Sequence, residues 1–365
     1  MRPVAALVAV LLVLGGSAAA RGADDVVNLT PPQVAGTAEY DRVLRADPGT
    51  WAPAEVTAAY RWLRDGEPIP GARERRYRVR LGDLGHRLSV RVTATAADGS
   101  TAQAVSERTA KVRRAPLVDR RPPRVVGVQR FTHVVTAEPG RWSADPRRVR
   151  YQWLRSGRPI RGATAPRYRF APRDVGRSIR VRVSVAVPGH RPGVATSART
   201  GPVRHRVDVR RTVRYAVRTR GHVTASVREF RRLAQQTYAD PRGWRAKGVR
   251  FVPVRRGGAF TLWLAAAPTV PGFSSGCSST WSCRVGRNVI INQTRWRSAS
   301  PAWNAAGRSL RDYRHMVVNH ETGHWLGKGH ARCPGKGRPA PVMMQQSKGT
   351  QGCRFNPWPT AAELR

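Results

Sequence analysis

The chain has 365 residues, of which 66 are basic and 22 acidic, so its formal net charge is +44. This length predicts two or three domains, each large enough to bury its own hydrophobic core. Only residues 4–14 form an apolar run that approaches a membrane segment, which excludes a protein with several membrane spans.

The N-terminus has the pattern of a secretory signal peptide in residues 1–20. Arg2 supplies positive charge, residues 4–14 are apolar but short for a bilayer, and Ala18-Ala19-Ala20 is a small-residue cleavage site. We expect the mature chain to begin at Arg21 and to be secreted or extracellular, with an uncleaved anchor as the alternative. No cysteine follows the apolar run, so a lipoprotein anchor is not indicated, and export disfavours a nucleic-acid partner.

The next two segments form an internal repeat with an offset of 91 residues. Tyr60-Arg61-Trp62-Leu63-Arg64 recurs as Tyr151-Gln152-Trp153-Leu154-Arg155, and the alternation in residues 88–92 recurs in residues 179–183. The pattern resembles bacterial immunoglobulin-like repeats of secreted proteins, which implies two all-β sandwiches, residues 29–112 and 120–204. The disulfide between sheets that antibody domains carry is absent, so Trp62 and Trp153 are the expected core anchors, with ligand binding as the alternative role.

The two repeats differ in charge. Residues 21–119 contribute +3, residues 120–204 contribute +17 and residues 205–365 contribute +23. Codon bias in a GC-rich genome explains arginine-rich sequence, but it would make the first repeat equally basic. We therefore expect an anionic partner such as cell-envelope phosphate polymers or lipid head groups. Acidic substrates are an alternative partner for the same charge. The repeats themselves are expected to act as spacers or targeting modules, or else to shield the cleft.

The C-terminal region, residues 205–365, alternates between strand and helix patterns. Residues 213–217, 249–254, 260–264 and 288–292 are predicted as strands, and residues 224–238 have helical periodicity. A second helix follows Ser309, where Ser309 and Asp312 form a start signal like a capping box. Its apolar face would carry Leu310, Tyr313, Val317, His320 and His324.

Four cysteines occur, all in the C-terminal region, and an even number in an exported protein favours disulfides. The local pairing Cys277 with Cys283 and Cys333 with Cys353 is favoured, although three connectivities remain open. A second metal site or reactive thiols are the alternatives, but no CxxC spacing supports them.

A metal-binding motif lies on the second predicted helix, where the chain reads His320-Glu321-Thr322-Gly323-His324-Trp325-Leu326-Gly327-Lys328-Gly329-His330. His320 and His324 are four residues apart, so both imidazoles can face one metal, with Glu321 beside them. Gly327 can turn the chain so that His330 becomes a third ligand. Three histidines with an open fourth position are the ligand set of a catalytic zinc ion.

This motif resembles the signature of the metzincin zinc endopeptidases, H-E-x-x-H-x-x-G-x-x-H followed by a methionine turn. The resemblance implies a metzincin-like α+β domain, with Met343 packed beneath the metal ligands and Met344 as the alternative. Many metzincins have a tyrosine two residues after that methionine, where this chain has Gln345. Residues 206–365 also resemble a family of secreted actinobacterial proteins of uncharacterised function. Family comparison further suggests an extended substrate beside an edge strand within residues 268–283.

The sequence therefore predicts a secreted zinc-dependent endopeptidase that hydrolyses protein or peptide substrates. Zn²⁺ would be held by His320, His324 and His330, and Glu321 would act as the general base toward a zinc-activated water. The alternative is a non-catalytic envelope-binding protein in which the same motif holds a structural zinc ion.

Overall fold

The computed structural model describes residues 25–365, so the predicted signal peptide in residues 1–20 lies outside the described residues. No helix in the described part is long and apolar enough to cross a membrane. The chain separates into two compact units. One runs to Asp119 and includes Trp142–Arg148 and Val185–Gly193, and the other comprises Arg120–Arg141, Val149–Ser184 and Val194–Arg365.

The first repeat contains nine short strands: β1 (Val27–Thr30), β2 (Gln33–Ala35), β3 (Val43–Asp47), β4 (Thr50–Ala52), β5 (Thr57–Arg64), β6 (Glu67–Pro68), β7 (Arg76–Arg78), β8 (Leu88–Thr95) and β9 (Thr101–Val105). They form three antiparallel sheets, with the strand orders β1-β4, β2-β3-β7 and β6-β5-β8-β9. The alternating burial along β8 is that of a strand with one face in the core.

The second repeat contains the corresponding strands: β10 (Asp119–Arg121), β11 (Arg124–Val126), β12 (Val134–Glu138), β13 (Arg141–Trp142), β14 (Arg148–Arg155), β15 (Arg158–Pro159), β16 (Arg167–Arg169), β17 (Ile179–Ala186) and β18 (Gly193–Thr196). Their sheet orders are β10-β13, β11-β12-β16 and β15-β14-β17-β18. Because each order matches its counterpart in the first repeat, the predicted all-β duplication is confirmed.

Trp62 and Trp153 occupy the centres of the two repeats and are fully buried. Each indole Nε1 donates a hydrogen bond to a backbone carbonyl, Trp62 to Glu74 at 2.9 Å and Trp153 to Ala165 at 2.8 Å. A buried N–H without a partner would cost free energy, so this bond lets a large ring stabilise the core without that penalty. Both tryptophans are core residues, as the sequence predicts.

An ion pair between a buried aspartate and a partly exposed arginine supplements each core. In the first repeat, the fully buried Asp83 accepts hydrogen bonds from Arg64 at 2.6 Å and from the Tyr77 hydroxyl at 2.8 Å. The second repeat has the same arrangement in Arg155, Tyr168 and Asp174. Without disulfides in either repeat, burial and these polar contacts hold the sheets in place.

The C-terminal region has a five-stranded sheet with the order β20-β19-β21-β23-β22. Its strands are β19 (Arg211–Arg220), β20 (Val249–Val254), β21 (Phe260–Ala265), β22 (Cys283–Val285) and β23 (Asn288–Asn292). Four strands are parallel, and β22 pairs antiparallel with β23 at the edge. All four predicted strands are present, β20 and β23 with the predicted bounds.

Four helices accompany this sheet: α1 (Val227–Ala239), α2 (Gln293–Ser298), α3 (Pro301–Ala305) and α4 (Leu310–Trp325). The Ser309 side chain accepts a hydrogen bond from the Asp312 N–H at 3.0 Å and so caps α4, as predicted. Helix α1 starts three residues later than its periodicity suggested, because Ser226 caps it by accepting from Glu229 N–H. Tyr313 and Val317 on α4 are buried in the same core as α1.

The edge strand expected beside the substrate within residues 268–283 begins only at the end of that range. Across residues 267–283 the chain forms two short 3-10 turns, Ala267–Thr269 and Pro271–Phe273, and only Cys283 belongs to a strand. Proline near the start of each turn explains the difference, because proline lacks the N–H that a sheet ladder needs. The edge strand beside the cleft, β22, therefore overlaps the predicted range only at Cys283.

Candidate metal centre

The three histidines of the motif converge in the structure. Their ligand atoms all lie within 4.8 Å of one another. His324 Nε2 is 3.2 Å from His320 Nε2 and 3.1 Å from His330 Nε2. Nitrogen ligands about 2.0–2.1 Å from a tetrahedral zinc ion would be about 3.3–3.4 Å apart, so the cluster has nearly the size that such an ion requires.

Backbone carbonyls determine which nitrogen of two rings faces the cluster. His320 Nδ1 donates to the Val342 carbonyl and His324 Nδ1 to the Lys328 carbonyl, both at 2.8 Å. Because a carbonyl oxygen only accepts, Nδ1 carries the hydrogen and Nε2 of the neutral ring carries a lone pair. Two such lone pairs 3.2 Å apart repel each other, and a cation between them would remove that repulsion. The donor set therefore fits a divalent metal ion.

Burial keeps the rings neutral. It lowers the pKa of His320 to about 3 and also lowers the pKa values of His324 and His330. The positive charges of Arg284 near His324 and of Lys348 near His330 add to this effect. All three imidazoles are thus in the form that binds metal at neutral pH.

The turn after α4 brings the third histidine to the cluster. Gly327 has a φ of +85°, a conformation that costs other residues about 1–2 kcal/mol. Gly327 N–H donates to the His324 carbonyl at 3.1 Å and Lys328 N–H to the Gly323 carbonyl at 2.9 Å, so the turn satisfies the last carbonyls of the helix.

Glu321 lies on the same helix and is 5% exposed. In the protein chain alone, burial raises the pKa of this carboxyl to about 8. A divalent cation among the histidines would favour the carboxylate and lower that pKa. Glu321 lines the same cleft as the three histidines, so it can exchange a proton with a group that enters there.

The methionine turn, residues 341–345, lies beneath the histidine cluster. Met343 is buried, and its Sδ would be only 2.2 Å from a Cβ placed on Gly323. Met344 packs instead with Ala340 and the disulfide cysteines Cys333 and Cys353. Met343 is therefore the methionine that contacts the motif helix between its two histidines. Gln345, two residues after Met343, is exposed and lines the cleft.

Both disulfides form in the favoured pairing, Cys277 with Cys283 and Cys333 with Cys353, and no free cysteine remains in the described chain. The first closes a short loop before β22, and the second brackets the methionine turn. This pairing excludes the alternatives of a second cysteine metal site and reactive thiols.

A cleft of about 590 Å³ opens in front of the cluster. The cleft is lined by the loop before β22 and the strand itself, including Trp281 and Arg284, and by residues 345–348. Besides Glu321 and the histidines, its charged side chains are Arg284, Lys328 and Lys348. No ion-pair partner for these three cations is present among residues 25–365.

Three supporting residues were not predicted from the sequence. Gly323 makes room for Met343, and Trp244 Nε1 donates to the Asn319 carbonyl of α4 at 2.9 Å. The Glu363 carboxylate accepts from the N–H groups of Val342 and Met343. Only Glu363 had a local signal, because Thr360-Ala361-Ala362-Glu363 matches the S/T-x-x-E capping box.

Comparison with known proteins gives limited similarity. No curated protein matches the chain significantly. Immunoglobulin-like β-sandwich proteins are among the similar solved structures, in keeping with a mostly β-sheet chain. The three N-terminal domains of the bacteriophage RB49 Highly Immunogenic Outer Capsid protein share 16% identity with a TM-score of 0.23, over 52% of this chain and 65% of that one.

Two further structures are similar at the same low level. The tandem Ig repeats of Dlar share 13% identity with a TM-score of 0.14, over 47% of this chain and 96% of that one. Murine CEACAM1b shares 11% identity with a TM-score of 0.20, over 47% of this chain and 98% of that one. In the C-terminal part, residues 184–360 match the family model described as "Protein of unknown function (DUF3152)".

Proposed function

We propose that this protein is a secreted zinc-dependent endopeptidase with a metzincin-like catalytic domain in residues 205–365, after two immunoglobulin-like domains in residues 29–112 and 120–204. The observation that carries the proposal is the convergence of the Nε2 atoms of three histidines, two of them with Nδ1 bonded to a carbonyl, in a cleft that also contains Glu321. Both disulfides are in keeping with an oxidising, extracellular location.

His320, His324 and His330 would hold the ion. Zn²⁺ bound by three neutral imidazoles lowers the pKa of a bound water toward about 7 and polarises a carbonyl group. Glu321 would accept a proton as general base and return it to the departing amine. Because Glu321 is 5% exposed and lines the cleft, its carboxylate can exchange a proton with a group bound there.

The substrate would lie extended beside β22. This strand has one hydrogen-bonded neighbour, β23, so its other edge offers backbone groups to an added strand. Arg284 on β22, with Lys328 and Lys348 on the other cleft segments, would favour acidic side chains near the bond that is cleaved.

The second repeat would bind an anionic partner, with phosphate-rich envelope polymers or lipid head groups as the expected class. Of its 20 basic residues, only Arg130 and Arg155 form ion pairs within the described chain. Such unpaired positive charge attracts polyanions.

The open side of the histidine cluster favours hydrolysis over the alternative of an envelope-binding protein with a structural zinc ion, because structural sites are usually closed by a fourth protein ligand.

Substitution of the general base tests the proposed hydrolysis. Glu321→Gln is expected to retain one zinc ion per chain but to lose at least about 99% of turnover, because the glutamine amide cannot accept the proton. Cleavage of an unstructured protein by the purified full chain and bound zinc would be measured side by side. His320→Ala should lose the zinc itself. A Glu321→Gln variant that cleaves as fast as the wild type would contradict the proposed role.

A further inference from the structure

The Glu363 carboxylate is the anchor of the methionine turn. Its Oε1 accepts from Met343 N–H at 2.8 Å, and its Oε2 accepts from Val342 N–H at 3.0 Å. Oε2 also accepts from Thr360 N–H at 2.7 Å and from the Thr360 hydroxyl at 2.8 Å. Since Val342 and Met343 are buried, their N–H groups depend on this carboxylate for hydrogen bonds.

The turn that Glu363 holds contacts one of the three histidines and two residues beside them. The Val342 carbonyl accepts from His320 Nδ1 at 2.8 Å. The Met343 carbonyl accepts from the N–H of Ala331, the residue after His330, at 3.1 Å. The Met343 side chain packs against Gly323, which lies between His320 and His324.

We propose that Glu363 is a positioning residue for the metal centre, acting through the methionine turn. Two adjacent N–H groups bound to one carboxylate fix the orientation of both peptide planes. The Val342 carbonyl is thereby aimed at His320 and holds that ring with Nε2 toward the cluster. Groups bonded directly to a metal ligand, as the Val342 carbonyl is to His320, typically change metal affinity by about 10- to 100-fold when they are removed. Glu363 acts through that peptide group, so we expect an effect at the lower end of this range.

Zinc affinity measured by chelator competition on the purified full chain tests this role. The inference rests on the proposed zinc site but not on hydrolysis. Glu363→Ala is expected to bind Zn²⁺ about 10-fold more weakly, and Glu363→Gln to lose part of the affinity because its amide NH₂ cannot accept from an N–H group. The matched control is Glu229→Ala, which removes a carboxylate paired with Arg314 at 2.9 Å and should leave zinc affinity unchanged.

A second readout separates positioning from general destabilisation. NMR of the histidine ring should show the His320 Nδ1 proton, protected by the Val342 carbonyl, in the wild type and in Glu229→Ala, and should show it exchanging faster in both Glu363 variants. If Glu363→Ala does not fold, both measurements are made on Glu363→Gln. Equal zinc affinities in folded wild type and Glu363 variants would overturn this inference alone. A wild-type chain that binds no zinc would overturn it together with the proposed function.

Discussion

At the scale of single residues, backbone carbonyl groups orient two of the motif histidines, His320 and His324. The sequence predicts Gly327 as the turn that returns His330 to the cluster. The same turn has a second role, because it places the Lys328 carbonyl 2.8 Å from His324 Nδ1. A hydrogen bond from a ring to a carbonyl four residues later depends on the exact path of the turn, so spacing alone could not predict it.

Gly323 is the residue whose replacement should reveal the packing beneath the histidines. A Cβ at this position would be 2.2 Å from Met343 Sδ and 2.8 Å from the Trp244 ring. Helix propensity favours alanine over glycine by about 1 kcal/mol, whereas overpacking a buried site costs about 1–3 kcal/mol. Since Trp244 is rigid and fully buried, we expect Gly323→Ala to lower the free energy of unfolding by about 1–2 kcal/mol, measured by urea denaturation.

Gly329→Ala is the matched control for that substitution. A Cβ on Gly329 would meet nothing within 4 Å, and its φ is not positive. Its stability should therefore stay near that of the wild type. Equal stabilities for Gly323→Ala and the wild type would show that Met343 does not pack closely against the helix.

From the environment of His315 we predict that the free energy of unfolding falls in acid. Burial, with a smaller contribution from Arg311, lowers its pKa from 6.5 to about 4. The unfolded chain therefore binds more protons between these pH values, so the stabilising contribution of His315 is complete above about pH 6.5 and is lost as the pH falls toward 4. The shift corresponds to at most about 3 kcal/mol.

Urea unfolding of the chelator-treated chain at pH 7 and at pH 4.5 measures this contribution. The wild type should lose more stability on acidification than His315→Gln, which has no titrating ring. Groups that titrate in both proteins cancel in the comparison. Parallel losses would mean that His315 is not held neutral by burial.

At the scale of elements, the sequence predicts what is periodic and misses what is short. β20, β23 and the cap of α4 are predicted because alternation, helical spacing and a serine before an apolar stripe are local signals. β22 has three residues, too few to show alternation, and its position depends on pairing with β23. Glu363 is missed for a similar reason, because its contact with the methionine turn spans about 20 residues.

From the positive charge of Arg284 on β22 we predict a preference for substrates with acidic side chains near the cleaved bond. Arg284→Glu should lower kcat/KM for a peptide with Glu beside the cleaved bond and raise it for the Lys counterpart, because the charge that faces them is reversed. An exposed pair of this kind contributes about 0.2–1 kcal/mol, so each change should be about 1.4- to fivefold.

The control is Arg256→Glu, the same charge change at an exposed residue outside the cleft. It should alter both peptides equally. A ratio of the two kcat/KM values that is the same in Arg284→Glu and in the wild type would show that Arg284 does not select the substrate.

At the scale of the whole molecule, the charge difference between the repeats is the feature that the fold does not explain. The two repeats share strand order, buried tryptophan and buried aspartate, yet residues 21–119 carry +3 and residues 120–204 carry +17. The first repeat shows that this fold needs no arginine excess. The excess is therefore available for binding.

Equivalent arginines in the two repeats allow a matched test. Arg182 in β17 and Arg91 in β8 occupy the same repeat position, 91 residues apart, and Arg182 is exposed. Binding to vesicles with anionic lipid should weaken more in Arg182→Glu than in Arg91→Glu and should decrease as salt is raised, because added ions screen surface charge. Binding that is equal in both variants and independent of salt would exclude the proposed anionic partner.

X-ray absorption at the zinc edge is the most direct test of the proposed metal centre. For the purified chain loaded with one equivalent of zinc, we expect three imidazole nitrogens and one oxygen ligand, all about 2.0–2.1 Å from the metal. His330→Ala should remove one of the nitrogens. Four protein ligands, or a zinc ion bound without these histidines, would contradict a catalytic metal centre at His320, His324 and His330.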